Sequence, residues 1–286
     1  MNALDFLATT QDPQRTLVYA PPKSGKTAAA FGLAKLGYEV IYIGFEKGHL
    51  VLRNKGLGLS QEDLKRITIV NVPDDNTNVV AETFMRLLLN GKDFTVCSAH
   101  GSSSCSICRP DPKKPMIGAV TLSPKSWGAN TVVVIDTLTQ IFLSIKAGII
   151  ARQGIKDGKI EIQHWQEVGN LMDAILTRVQ QVPYNVVMLT HTQKTDILGM
   201  DVKGKSVVIG NNYQPLAGSA KYGQTVGKIF DHVMYMGFAN GKYVASTDPA
   251  FNKNLQQVGS RTVAFTDKDV KLDSTPLKNF YPPVSA

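Results

Sequence analysis

Short runs of apolar, mostly β-branched residues alternate along the chain with longer runs in which apolar positions recur every three or four residues. The short runs cover residues 16–20, 39–44, 66–70, 131–136 and 185–190, and continuous apolar runs of that length predict strands buried on both faces. Helical spacing falls over residues 27–36, 78–89 and 162–180, where Trp165, Val168, Leu171, Met172, Ile175 and Val179 share one face. That stripe makes Trp165, next to His164, a packing residue rather than a platform for stacked bases. Strands and helices in alternation predict an α/β fold, a mostly parallel central sheet with helices on both faces. After Thr190 the apolar runs shorten to residues 230–236, 242–246 and 261–265, separated by turns with glycine and asparagine, which predicts an antiparallel C-terminal extension of the sheet. Residues 1–286 read as one domain, with an inserted hairpin at 94–121 and an irregular tail at 276–286.

The first apolar run leads into Ala20-Pro21-Pro22-Lys23-Ser24-Gly25-Lys26-Thr27, and the first helical pattern, 27–36, follows at once. Strand, glycine-containing loop and helix in that order form a P-loop, with Ala20 where the first glycine of the motif usually stands. The loop binds phosphate through backbone N–H groups and a helix N-terminus, so the missing glycine does not remove the chemistry. Lys26 is expected at the β- and γ-phosphates of ATP and the Thr27 hydroxyl at Mg²⁺. Residues 131–136, Thr-Val-Val-Val-Ile-Asp, end an apolar strand in a carboxylate, and Asp136 is expected to bind Mg²⁺ through water or through Thr27. This strand and the one ending near Glu46 are placed beside the P-loop strand. Glu46 is the candidate base for hydrolysis, and His191 and Gln193, which follow residues 185–190, are candidate sensors of the γ-phosphate.

Charge and cysteine usage add two further expectations. The formal net charge is +8, which favours a polyanionic partner. All three cysteines fall within residues 97–108, and with one histidine they form C-x₂-H-x₄-C-x₂-C: Cys97, His100, Cys105 and Cys108. Three thiolates and an imidazole suit a closed, structural tetrahedral Zn²⁺ site, carried on a hairpin of residues 94–96 and 116–121. Arg109, Lys113 and Lys114 lie next to it and are open to a DNA or partner contact. Residues 1–5 lack the start of a signal peptide, and no apolar run approaches the roughly 18 residues of a membrane span. A cytoplasmic location without membrane contact is therefore expected.

In order, a P-loop, a strand ending in Glu46, a strand ending in Ile135-Asp136-Thr137 and a strand ending in Thr190-His191-Thr192-Gln193 resemble the RecA-like ATPase core. The likeness covers roughly residues 14–265 and is nearest to phage nucleotide-binding proteins of the single-strand annealing kind. Residues 215–223 and 230–233 also resemble the stretch preceding the later strands of those proteins. The resemblance implies Lys26 and Thr27 as the P-loop pair, Asp136 as the Walker B carboxylate, Glu46 as catalytic glutamate, and Gln193 or His191 as the switch. It further implies two DNA-binding loops, residues 146–159 with Lys146, Arg152, Lys156 and Lys159, and residues 194–214 with Lys194, Lys203 and Lys205. The implied activity is Mg²⁺-dependent ATP hydrolysis coupled to binding and annealing of single-stranded DNA, by a homo-oligomeric ring or filament in the host cytoplasm. A single-stranded DNA-binding protein is a further candidate partner. A ring-forming helicase or translocase, and a non-catalytic assembly protein, are the alternatives. Lys228, Lys242 and Arg261 are open candidates for a cationic finger from a neighbouring subunit.

Overall fold

Alternation of side chains within single strands divides the core into two layers. The computed structural model describes residues 12–74, 80–155, 158–200, 202, 204–255 and 257–284. Strands β1 (Arg15–Ala20), β2 (Glu39–Gly44) and β3 (Ile67–Asn71) are followed by β4 (Phe94–Cys97), β5 (Ala119–Leu122) and β6 (Thr131–Asp136). Leu17, Tyr19, Val133, Ile135, Val186 and Met188 project to one face of the sheet, whereas Val18, Ala20, Val132, Val134, Val187 and Leu189 project to the other. Both sets are buried, which is why these stretches read as unbroken apolar runs rather than as alternating ones.

Helix α1 (Lys26–Phe31) continues as a 3-10 turn over Gly32–Leu36. With Tyr38 and the C-terminal residues Leu277, Phe280 and Tyr281 it covers one face. A short helix α2 (Gln61–Lys65) precedes β3, and α3 (Ala81–Leu89), α4 (Leu138–Gln153) and α5 (Ile162–Gln181) cover the opposite face. The expected helical start at residue 78 lies outside the described residues.

The remaining strands are β7 (Asn185–Met200), β8 (Ser206–Pro215), β9 (His232–Ala239), β10 (Lys242–Ser246), β11 (Gly259–Ser260) and β12 (Thr266–Asp267), with a one-turn helix α6 (Ala220–Gly223) between β8 and β9. The sheet runs β12-β10-β9-β1-β7-β6-β2-β3, with β8 paired to β7 and β11 to β9. All pairs from β9 to β3 are parallel, and the antiparallel part begins at β10. Four expectations change accordingly. The stretch at 230–236 is a central strand parallel to β1, so the antiparallel extension starts one strand later. Residues 261–265 lie between β11 and β12 rather than forming a strand. The hairpin partner of β4 is Ala119–Leu122, shifted from the expected 116–121. The tail carries a 3-10 turn at Pro276–Asn279, and Tyr281 is buried with its hydroxyl 2.9 Å from Thr16 Oγ1.

Both expected basic loops are largely regular structure. Residues 146–153 belong to α4, which is buried over most of its length, and residues 194–200 and 206–214 pair as a two-stranded arm in which Gln193 pairs with Gln214 and Met200 with Ser206.

Candidate nucleotide site

The P-loop connects the end of β1 to α1. Ala20 occupies an extended strand position, in register with His191 of β7, so this place in the motif makes no demand for a left-handed backbone. Positive φ falls instead on Lys23 and Gly25, at 63° and 87°, and Gly25 meets that demand without a side-chain penalty. Ser24 Oγ donates to Pro21 O across the loop at 2.8 Å, and Ala29 N–H donates to Gly25 O at 2.9 Å to start α1. Lys26 is buried with 7 % of its surface exposed.

Strand β6 does not lie next to β1: β7 runs between them, and β2 is one strand further out. The carboxylates still reach the loop, because all four strands are parallel and end on the same side. Thr27 Oγ1 donates to Asp136 Oδ2 at 3.0 Å, and the Tyr42 hydroxyl, from the middle of β2, donates to the same oxygen at 2.7 Å. Glu46 accepts from Thr137 Oγ1 at 2.8 Å and from His191 Nε2 at 3.1 Å. An ionised carboxylate only accepts, so His191 carries its proton on Nε2. The backbone N–H of His191 donates to Thr139 Oγ1 at 3.0 Å, which fixes the end of the sheet-bound part of β7. Gln193, one turn of the pleat further on, accepts from Gln214 Nε2 at 3.4 Å.

Burial pushes the Asp136 carboxyl above the ordinary aspartate range, and the hydrogen bonds from Tyr42 and Thr27 with the charge of Lys26 only partly offset it. Glu46 behaves in the opposite way. Burial acts upward, but the hydrogen bonds from His191 and Thr137, and the charges of His191 and Lys26, outweigh it and hold the carboxyl low. One carboxylate is therefore poised to be neutralised by an added cation, and the other stays ionised next to the phosphate end of the loop. Thr27 and Asp136 offer the hard oxygen donors that a divalent cation beside phosphate requires.

Tyr42 and Gly48 were not legible as site residues. Tyr42 sits in Val40-Ile-Tyr-Ile-Gly44, which reads as core, and only its hydroxyl reaches the site. Gly48 follows Glu46 in a 3-10 segment, Lys47–Arg53, and the Asp136 carboxylate and the Tyr42 hydroxyl fill the space that a side chain on it would enter. The cleft at the loop has a volume of about 440 Å³ and is bounded by Lys23–Ala29 on one side.

The basic candidates are dispersed. Lys146 Nζ lies 5.8 Å from the centre of the Trp165 ring, and Arg152 pairs with Glu167 at 3.0 Å, so both tie α4 to α5. Trp165 itself stacks on Phe142. Lys159 is exposed beyond α4, and Lys194 and Lys205 are exposed on the β7–β8 arm. Lys156 and Lys203 lie outside the described residues. Lys242 pairs with Asp269 and Arg261 with Asp231, while Lys228 is exposed.

Away from this cleft, Cys97, His100, Cys105 and Cys108 converge. Their ligand atoms all lie within 4.8 Å of one another, and His100 Nδ1 lies 3.8, 3.4 and 3.3 Å from the three sulfurs in chain order. A tetrahedral ion with ordinary bond lengths sets sulfur and nitrogen about 3.5 Å apart. The donor set fits a metal ion, held on the β4–β5 hairpin.

A parallel sheet with a phosphate loop at its strand ends, and a hydroxyl–carboxylate pair and a second carboxylate converging there, define a P-loop ATPase domain. Residues 12–265 match the family described as AAA domain, and the chain belongs to that family. No curated protein matches the chain. Among solved structures it is similar to the RadB recombinase, at 15 % sequence identity over 95 % of each chain and a TM-score of 0.43. Among the described residues no helix is long and apolar enough to cross a membrane.

Proposed function

We propose that this protein is a RecA-like, Mg²⁺-dependent ATPase of phage-type recombination or replication that binds single-stranded DNA and promotes its annealing. One observation carries the reading. Strand β7 is continuous from the sheet interior at Asn185, past His191 in contact with Glu46, into the arm that ends at Met200. Events at the γ-phosphate reach Glu46 and His191 first, and the same strand conveys them to Gln193, Lys194 and the arm. Lys26 holds the phosphates, Thr27 and Asp136 hold Mg²⁺, and Glu46 activates water, with its carboxylate oriented by Thr137 and His191. Zn²⁺ on Cys97, His100, Cys105 and Cys108 stabilises the β4–β5 hairpin.

The arm is the DNA-contacting element in place of flexible loops. Its lysines supply attraction to phosphates that does not depend on sequence. Leu198, Met200 and Ile209 are exposed near its end, and these apolar groups suit stacking against bases or contact with a neighbouring subunit of a homo-oligomer.

The test is ATP turnover with and without single-stranded DNA. Turnover should rise with DNA, Lys26→Ala should lose nucleotide binding, and Glu46→Gln should bind ATP but turn it over at least about a hundredfold more slowly. Annealing of complementary strands should require ATP and weaken steeply with salt. Unchanged turnover in Glu46→Gln would remove the base assignment, and DNA binding insensitive to salt would remove the arm.

A further inference from the structure

The turn Gly44-Phe45-Glu46 is held from two sides. Toward the nucleotide, Phe45 N–H donates to Asp136 O at 2.7 Å, and the Glu46 carboxylate accepts from Thr137 and His191. Away from it, Gly44 O accepts from Val72 N–H at 2.7 Å, and the Phe45 ring meets Phe84 of α3 edge to face with centroids 6.2 Å apart. Neither Val72 nor Phe84 lines the nucleotide cleft.

Both outer supports lead to the metal-ligand hairpin. Phe84 meets Phe94 of β4 in the same edge-to-face manner, at 5.7 Å. Val72 is 1 % exposed and packs against Gly101, the neighbour of the ligand His100, so closely that a Cβ on Gly101 would overlap the Val72 methyl groups. Gly101 has a left-handed backbone, φ 60°, and its N–H donates to the carbonyl of the ligand Cys97 at 2.9 Å. Coordination of Cys97 and His100 therefore fixes the surface against which Val72 rests. Asn71, one residue earlier, donates to Ser98 O and Ala99 O and closes the same contact from β3.

We propose that the metal-bound hairpin is a positioning element for Glu46, acting through Val72 on Gly44 and through Phe94 and Phe84 on Phe45. The proposal rests on the readings of Glu46 as the base and of Cys97, His100, Cys105 and Cys108 as a Zn²⁺ site. A base works only at a fixed distance from the water it activates, and a displacement of about 1 Å costs up to about a hundredfold in rate. Nucleotide binding draws instead on the loop after β1, which β7, β6 and β2 separate from β3. Metal content thereby sets the rate of turnover and leaves the affinity for nucleotide alone.

The test compares the full chain loaded with Zn²⁺, stripped of it by a chelator, and reloaded, each assayed in Mg²⁺. Stripping should lower kcat for ATP about tenfold, keep the affinity of a non-hydrolysable ATP analogue within about twofold, and be reversed by Zn²⁺. Hydrogen exchange at the Phe45 and Val72 amides should quicken in the stripped chain, with Val18 of β1 still protected. Gly101→Ala keeps all four ligands but drives the loop off Val72. It should retain Zn²⁺ and show the same split between turnover and affinity, which keeps the test available if the stripped chain aggregates. Turnover unchanged both by stripping and by Gly101→Ala would overturn the brace while leaving the base and the metal site in place. Equal losses of turnover and analogue affinity, or exchange spreading to Val18, would overturn it as well, because the ion would then support the fold at large. Normal turnover in Glu46→Gln would overturn the base assignment, and a chain that takes up no Zn²⁺ the metal site, each with the brace.

Discussion

At Gly48 the site leaves no room for a methyl group. A Cβ there would overlap Asp136 Oδ2 and lie 2.5 Å from the Tyr42 hydroxyl, and both of these groups are buried in a strand-bound position that yields little. Gly48→Ala should therefore displace the Asp136 carboxylate or the 3-10 segment that carries Gly48. The expected outcome is a stability loss of about 1–3 kcal/mol in urea denaturation together with at least tenfold slower ATP turnover. Normal turnover would mean that Asp136 does not need its present position. At this scale the sequence revealed the acidic and basic groups but not their neighbours. Glu46, Asp136 and His191 stand where polarity breaks an apolar run, and Lys26 and Thr27 follow the loop glycine at the start of α1. Tyr42 offers no such break, because an aromatic ring in a buried strand looks the same whether or not its hydroxyl has a partner.

Strands buried on both faces were legible as unbroken apolar runs and helices where one face was buried; a helix buried all round and a strand that leaves the sheet were missed. Helix α5 shows a single apolar stripe, and its span was recovered to within one residue. Helix α4 is packed between α3 and α5 and against the sheet, so apolar residues occur all round it and the period of 3.6 disappears. Lys146 and Arg152 then made its second half look like a basic loop, although each is spent on a contact with α5. The arm has the reverse problem: β7 changes from a fully buried strand to an exposed one at His191 without any turn residue, so only its first six residues looked like a strand. The metal-ligand hairpin was legible because ligand spacing is a stricter signal than periodicity. It is fastened to β3 by Asn71, whose N–H donates to Ser98 O at 2.7 Å and whose side-chain amide donates to Ala99 O at 3.0 Å. Elemental analysis should find about one zinc per chain. Cys105→Ser should abolish it and expose β4 and β5 to hydrogen exchange, with β1 and β6 still protected. Full metal content in Cys105→Ser would exclude that cysteine as a ligand.

For the molecule as a whole, His232 joins three distant parts of the chain. On β9, its Nε2 donates to Gln14 Oε1 and its Nδ1 accepts from Ser260 Oγ, each at 2.8 Å, while its ring stacks on Phe280 with centroids 4.0 Å apart. Burial lowers its pKa to about 4, and the charge of Asp231 offsets this only in part. In the unfolded chain the imidazole protonates near pH 6.5, so between about pH 6.5 and 4 the unfolded state binds the extra proton and stability falls as pH falls. Above that window the group contributes no pH dependence. The full effect is about 3 kcal/mol, and His232→Gln should flatten the pH profile of the melting temperature within the window. A profile unchanged by the substitution would show that His232 is not the group responsible.

The central position of β1 has a consequence for how the protein is made. Its two partners in the sheet begin far along the chain, with Arg15 in register with Val186 and Thr16 with His232. A ribosome delivers residues in order, so the most apolar stretch near the start, Leu17-Val18-Tyr19-Ala20, leaves the exit tunnel well before either neighbour has been synthesised. Until then it is an unpaired strand with both faces sticky, a target for trigger-type chaperones and for other nascent chains. Slowing translation between Ala20 and Val186 should lower the soluble yield, whereas slowing it after His232 should not.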